Sequence, residues 1–364
     1  MGVALRRRLR GLAANLLLAI VSAAVAFGGA EIVLRLGRLA PPRALRSADA
    51  VTLSRIPGLF QPGQEFTDLL KPDLPARIRI NDLGFRGRDL AEVKPPGAVR
   101  ILALGDSYTF GAFVDDDQTY PARLEKMLQA RRAGRAIEVV NGGVGGFGIL
   151  DERALWEKAG ERLDPAIVLI TFSPNDVSDM TRPRPMIEQM RAHADLKSSL
   201  LLGPPLRLLM SSAVFNGLQI VAARIRSATR SHAAIPEIEP SRAGPERAPE
   251  AWEAYHEALK DLASRIQRGG RRALLVLYPS HGTVQGADRP WGSEILPAWA
   301  LQADLPCLDL LPAFRAAPLA ADLLYLVPKD PHPSPAGHAL AASRIAEEIE
   351  RLGWLSDPGP ALRE

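Results

Sequence analysis

The chain has 364 residues, 47% apolar and 24% charged, an ordinary globular balance that leaves room for one large domain or two smaller ones. Arg6, Arg7, Arg8 and Arg10 alone match the formal charge of +4, so the remainder is close to neutral and no nucleic-acid partner is expected. The single cysteine, Cys307, excludes an internal disulfide framework and any multi-cysteine metal site; in its apolar run it reads as a small buried hydrophobe.

From Gly11 to Ala30 every residue is apolar or small except Asn15 and Ser22, a length of twenty that matches a bilayer core. Residues 1–10 then form a basic cytoplasmic flank and 11–30 a single-pass transmembrane anchor. The bulk of the chain would lie on the periplasmic or extracellular side. Arg35, Arg38, Arg43 and Arg46 on the far side act against that orientation. A cleavable signal peptide is the rival, since Ala24-Val25-Ala26 resembles a cleavage site, but its apolar region usually runs to about 7–15 residues. A buried soluble helix is the third reading, disfavoured by the basic flank.

Residues 31–97, rich in Pro, Arg and Gly from residue 40 on, read as a spacer with local strand structure, such as the alternating Arg77-Ile78-Arg79-Ile80. It would lift the following domain, 98–352, off the membrane. Five apolar runs in that domain suit buried strands: Arg100 to Leu104, Ala136 to Val140, Ala166 to Phe172, Arg272 to Tyr278 and Pro306 to Leu310. Helical patterns separate them. Thr119 can cap one with Pro121 in its first turn and Tyr120, Leu124, Met127 and Leu128 on one face. Trp252, Tyr255, Leu259, Leu262 and Ile266 repeat at three and four, and Ala342, Ile345, Ile349 and Leu352 stripe the last helix. Such alternation predicts an α/β fold, a doubly wound five-stranded parallel sheet.

Residues 177–250 are too long for a plain connection and read as a helical insertion, either a lid over the site or a subdomain packed on the core. Leu200, Leu201, Leu202, Leu206, Leu208, Leu209 and Met210 make it apolar, but Gly203-Pro204-Pro205 breaks any second span. Residues 235–249 look like a flexible return linker, and 353–364 form a tail.

The chemistry gathers at strand ends. The first run stops at Gly105-Asp106-Ser107, the second at Asn141-Gly142-Gly143-Val144-Gly145-Gly146, and the third at Ser173-Pro174-Asn175-Asp176. In a parallel sheet these loops share the edge where open α/β folds assemble their sites. A serine there is a weak nucleophile until a base takes its proton. His332, in Asp330-Pro331-His332-Pro333, follows the last strand beside a carboxylate; His281 is the reserve. His193, His232, His256 and His338 lie in the insertion or on helices, and no His and carboxylate show metal-ligand spacing, so neither metal nor other cofactor is expected. Gly143-x-Gly145-x-x-Gly148 also fits a dinucleotide fingerprint, but the acidic residue expected about twenty positions on is missing, which argues against a nucleotide.

These four blocks, in this order, resemble the SGNH/GDSL hydrolases, of the membrane-anchored bacterial type, over about residues 98–352. The resemblance implies a flavodoxin-like hydrolase fold with Ser107 as nucleophile and His332 as general base. It implies an oxyanion hole from the Ser107 and Gly146 backbone N–H groups and the Asn175 side chain. The family's last block has its carboxylate three residues before the histidine, where this chain has Lys329. Asp330, two before, takes the role of orienting acid, a spacing that some related polysaccharide O-acetyltransferases use. Ser173 stands where many members have glycine. Ile80-Asn81-Asp82-Leu83-Gly84-Phe85-Arg86-Gly87 resembles a stretch found ahead of the serine block in anchored members, and read alone is an edge strand with a glycine turn. The expected activity is hydrolysis of an ester, an O-acyl or O-acetyl group on a cell-envelope glycan or lipid. The alternatives are transfer of that acyl group to a sugar hydroxyl, or a non-catalytic envelope scaffold.

Overall fold

The computed structural model describes residues 2–39, 44–45, 58–68, 71, 73–132, 134–183, 185–190, 208, 211–230 and 244–355. Helix α1 (Gly2–Leu36) contains an apolar stretch, Ala14–Leu36, long enough to cross a bilayer, and none of it is buried by the rest of the protein. It runs past the expected end at Ala30 because Ile32, Val33, Leu34 and Leu36 continue the apolar run. Near its end Glu31 accepts hydrogen bonds from the Ser212 hydroxyl and the Ala213 and Val214 N–H groups at 2.8–3.0 Å. One carboxylate thus caps an insertion helix and ties it to α1.

The segment between α1 and the main sheet is more than a spacer. β1 (Ala44–Leu45), β2 (Glu65–Asp68) and β3 (Ala76–Arg79) form a small sheet, with β1 parallel and β3 antiparallel to β2. Leu59, Phe60, Phe66, Ile78, Ile80, Leu83, Phe85 and Leu90 are buried in the same core cluster as the main sheet. Each such side chain contributes about 1.5–3 kcal/mol by leaving water, so this stretch is docked on the domain. Residues 40–43 and 46–57 of the expected spacer lie outside the described residues.

The main sheet has the order β5-β4-β6-β7-β8, all parallel, from β4 (Val99–Gly105), β5 (Ile137–Gly143), β6 (Ile167–Phe172), β7 (Arg272–Leu277) and β8 (Cys307–Asp309). The five expected strands are these five, each within a few residues of its predicted ends. Alternate side chains face opposite layers. Ile101, Ala103, Ile167, Leu169, Leu274 and Val276 enter one core, while Leu102, Leu104, Val168, Ile170, Leu275 and Leu277 enter the other. Helix α2 (Ser107–Phe110) follows β4 and α3 (Tyr120–Arg131) covers the first core, its N-terminus capped by the Thr119 hydroxyl as expected. On the second, α4 (Ile149–Leu163) packs beside Trp252, Tyr255, Leu259, Leu262 and Ile266, the buried stripe that the sequence predicts.

Of the insertion, the structure describes α5 (Asp176–Asp179), a helical turn at 186–190, and α6 (Ala213–Arg230), before α7 (Pro249–Arg268) returns to the core. The leucine run from 200 to 206 with Gly203-Pro204-Pro205, Leu209, Met210, and linker residues 235–243 lie outside the described residues, as do His193, His232 and tail residues 356–364. Beyond β7, α8 (His281–Gln285), α9 (Trp291–Gln302), α10 (Leu311–Arg315) and α11 (Ala321–Leu324) lead to α12 (Pro335–Arg351).

Candidate active site

β4 is the first strand of the main sheet, and its neighbours on either side come next in the chain, so its carboxyl end lies at the topological switch point. Gly105 sits there with φ +154°, and any Cβ would run into the Thr109 side chain. Glycine alone lets the chain turn there from strand into helix. Asp106 caps α2, its carboxylate accepting from the Tyr108 N–H at 2.8 Å, and Ser107 opens the helix.

The loop between α11 and α12 brings the histidine to that serine. His332 Nε2 lies 2.8 Å from Ser107 Oγ, and His332 Nδ1 lies 2.5 Å from Asp330 Oδ1. The same oxygen accepts the His332 backbone N–H at 2.8 Å. A carboxylate only two residues away thus reaches the ring by first closing a turn on the histidine's own backbone. Tyr108 and Phe113 stand edge-on to the imidazole, each with ring centres 5.4 Å away. Phe113 holds φ +64°, an unusual conformation for a bulky residue, and is buried.

Asp330 has a second partner that the sequence does not announce. Lys71, from the segment before β3, pairs with its Oδ2 at 2.6 Å and donates to the Lys329 carbonyl at 2.9 Å. Burial pushes the Asp330 carboxyl up, but the hydrogen bond and charge of His332, with the Lys71 bond, outweigh it and bring it down to about 2. It is therefore ionised at any working pH. The reserve histidine is committed elsewhere: His281 Nε2 lies 2.7 Å from Asp322 Oδ1.

The β5 and β6 loops adjoin the serine. Gly105 pairs in register with Gly143, and the Val144 N–H donates to the Gly105 carbonyl at 3.1 Å. Gly146 follows with φ +82°, and the Met186 methyl packs close over it. Asn175 ends the β6 loop half-buried, its Oδ1 accepting from Ser173 Oγ at 3.0 Å and its Nδ2 donating to Asp179 Oδ2 at 3.2 Å.

Ser173, to which the sequence gives no role, lies at the centre of a polar network. Its hydroxyl is within 2.8–3.1 Å of Asp106 Oδ2, Asn175 Oδ1 and Asp176 Oδ1. A hydroxyl has one proton for three oxygens, so a proton on one of the carboxyls relieves the cluster. Asp176 is the group to hold it: burial first, then the charges of Asp106 and Glu152, push its carboxyl well above the usual range. Glu152 is raised likewise, by burial and then by Asp106 and Asp151. Among the described residues one group has ligating atoms converging within 4.8 Å, Glu253, His256 and Glu257 on α7, a spacing passed over in the sequence; both glutamates are exposed.

Residues 103–340, well over half of the chain, match the profile of the GDSL-like lipase/acylhydrolase family. The chain belongs to that family, whose members are hydrolases acting on esters. Among curated protein sequences none matches it. Its fold is similar to that of a variant of an acetyl xylan esterase from Geobacillus stearothermophilus, at 18% identity and TM-score 0.43, covering 75% of this chain and 100% of that one. It is also similar to an alpha/beta hydrolase from the metagenome of Lake Arreo, Spain, at 18% identity and TM-score 0.43, covering 71% of this chain and 98% of that one.

Proposed function

We propose that the chain is a serine esterase that removes an O-acyl or O-acetyl group from a cell-envelope glycan or lipid. The observation that carries this reading is the unbroken relay from Ser107 Oγ to His332 to Asp330, at 2.8 and 2.5 Å. Ser107 Oγ attacks the ester carbonyl carbon while His332 Nε2 takes its proton, and Asp330 fixes the imidazole tautomer and steadies its charge. The oxyanion is met by the Ser107 and Gly146 N–H groups and the Asn175 amide. Collapse expels the alcohol, which leaves with the proton from Nε2, and water repeats the sequence on the acyl-enzyme.

The test is turnover of short- and long-chain acyl esters by the purified full chain, with and without an oligosaccharide acceptor. Hydrolysis that vanishes in Ser107→Ala, in a variant that melts like the parent, supports the reading. Acyl transfer to the sugar in preference to water would make the protein an acyltransferase. Full activity in Ser107→Ala would remove the nucleophile, and no turnover of any ester by the parent would favour a scaffold.

We further propose that residues 1–10 remain cytoplasmic, that α1 stays as an anchor, and that residues 98–352 work outside the membrane. The bare apolar surface of Ala14–Leu36 supports the anchor. The protein is expected in the membrane fraction after a high-salt wash and to be released by detergent. A soluble product with a new N-terminus near Phe27 would mean a cleaved signal peptide instead.

A further inference from the structure

The two oxyanion donors that do not belong to the serine come from different loops, and a pair of side chains joins them. Asp179 ends α5 with its side chain 6% exposed. Its Oδ2 accepts from Asn175 Nδ2 at 3.2 Å, and its Oδ1 pairs with Arg182. Arg182 Nη1 in turn donates to the Gly146 carbonyl at 2.5 Å, thirty-six residues away in the chain. A line of contacts therefore runs from the Asn175 amide to Gly146 without passing through Ser107.

We propose that Asp179 and Arg182 act as one positioning unit that holds Asn175 and Gly146 in place for the charge that develops on the acyl oxygen. The proposal rests on the esterase reading above and extends it to two residues that do not touch the substrate. Asn175 has two amide hydrogens. With its nitrogen donating to Asp179, a flip would set the amide oxygen against a carboxylate oxygen there, so the amide is held in one orientation and its second hydrogen is used by neither contact. Gly146, at φ +82°, has no side chain to restrain its dihedrals, and the guanidinium pins its carbonyl, which fixes the peptide that follows it and leaves fewer rotations open to the N–H on the other side of the Cα. Without such pins the donors would have to reorganise as the oxyanion forms, and a preorganised hole is what lowers the barrier.

The charges fit the same purpose. A bare carboxylate behind an oxyanion donor would oppose a second negative charge, and Arg182 neutralises it. Burial pushes the Asp179 carboxyl up, Arg182 and Asn175 pull it down, and Asp106 and Asp151 add to the rise, leaving it at about 7. An ordinary surface pair three residues apart would touch neither donor.

The experiment uses the full chain with Asp179→Asn, Arg182→Met and the double variant. Each single change is expected to lower kcat by about 10- to 100-fold, short of the roughly 10²–10³-fold of losing a donor, with KM within about twofold. Trapping by an organophosphonate, whose tetrahedral adduct needs the same donors, should slow by the same factor. The double variant should be no slower than the worse single variant, because the pair acts as a unit. Arg182→Met loses a partly exposed side chain and keeps the test readable if Asp179→Asn fails to fold. Wild-type kcat and trapping in the variants, or losses that simply multiply, would overturn the unit while Ser107→Ala remained inactive. An active Ser107→Ala would instead overturn the reading on which it rests.

Discussion

Asp330 divides its two oxygens, one facing His332 and the other Lys71, so the relay role proposed for it is separable from the contact that holds the loop. Asp330→Asn keeps the shape of the side chain. The amide would favour the wrong imidazole tautomer and could not stabilise the cation, so kcat should fall by about 10³–10⁴-fold with KM little changed. Lys329→Ala, which removes a solvent-exposed contact to the Asp73 carbonyl, should be mild. Retention of most turnover in Asp330→Asn would withdraw the residue from the relay and leave it as a turn cap. Ser107 was legible as a motif at the end of an apolar run, and His332 as the histidine set beside a carboxylate after the last such run. Lys71 was not, since its partner lies more than 250 residues further on and only the docked segment before the sheet brings them together. Ser173 was equally hidden: nothing local distinguishes it from a turn serine until Asp106 arrives beside it from another strand.

The element that the sequence most underrated is the stretch from Asn81 to Gly87. Asn81 closes its turn by accepting from the Leu83 and Phe85 N–H groups at 3.0 Å, and Arg86 bridges to Asn141 at the edge strand β5. The Arg86 side chain is only 1% exposed. It donates to the carbonyls of Phe110, Gly111 and Val114 and to Asp116 at 2.6–2.9 Å, and stacks over the Phe110 ring. One guanidinium therefore holds the loop that follows the Ser107 helix, including strained Phe113 against His332. Arg86→Ala would strand three carbonyls and a carboxylate, and chemical denaturation should show a loss of about 3–5 kcal/mol. Arg86→Lys should recover little, because an ammonium cannot reproduce the fork. A variant as stable as the parent would mean that the loop holds itself. The strands and long helices, by contrast, were readable from periodicity because side-chain direction alternates in one and repeats every 3.6 residues in the other. A loop clamp has no period.

At the scale of the whole molecule, the layer beneath the site buries more carboxyls than it has partners for. Neither oxygen of Glu152 has a hydrogen-bond partner among the described residues. Glu152 and Asp176 are held well above the ordinary carboxyl range, with burial the largest cause in each, and Asp151 is raised for the same reason. Asp179 is raised to about 7. A carboxyl raised in the native state contributes stability in full below its unfolded pKa and loses it as pH rises through the folded value. Groups outside α1 that are lowered have the opposite sign, and the carboxyls among them, Glu257, Asp261 and Asp330, act only in acid below the ordinary carboxyl range. His338, brought down to about 3 by burial, costs stability as pH falls below its ordinary value, and Asp330, near 2, does so only in stronger acid. Between pH 8 and pH 5.5 the raised carboxyls outnumber the single imidazole, so the melting temperature should rise as the solution is acidified across that window. Glu152→Gln tests the origin of the slope, since it removes one buried charge and its proton while keeping the shape of the side chain. It should leave the melting temperature at pH 5.5 nearly unchanged, raise it at pH 8, and flatten the profile between them. A parent protein that melts lower at pH 5.5 than at pH 8 would show that the imidazole outweighs the carboxyls. An unchanged slope in Glu152→Gln would place the bound protons on the other raised carboxyls, Asp151, Asp176 and Asp179.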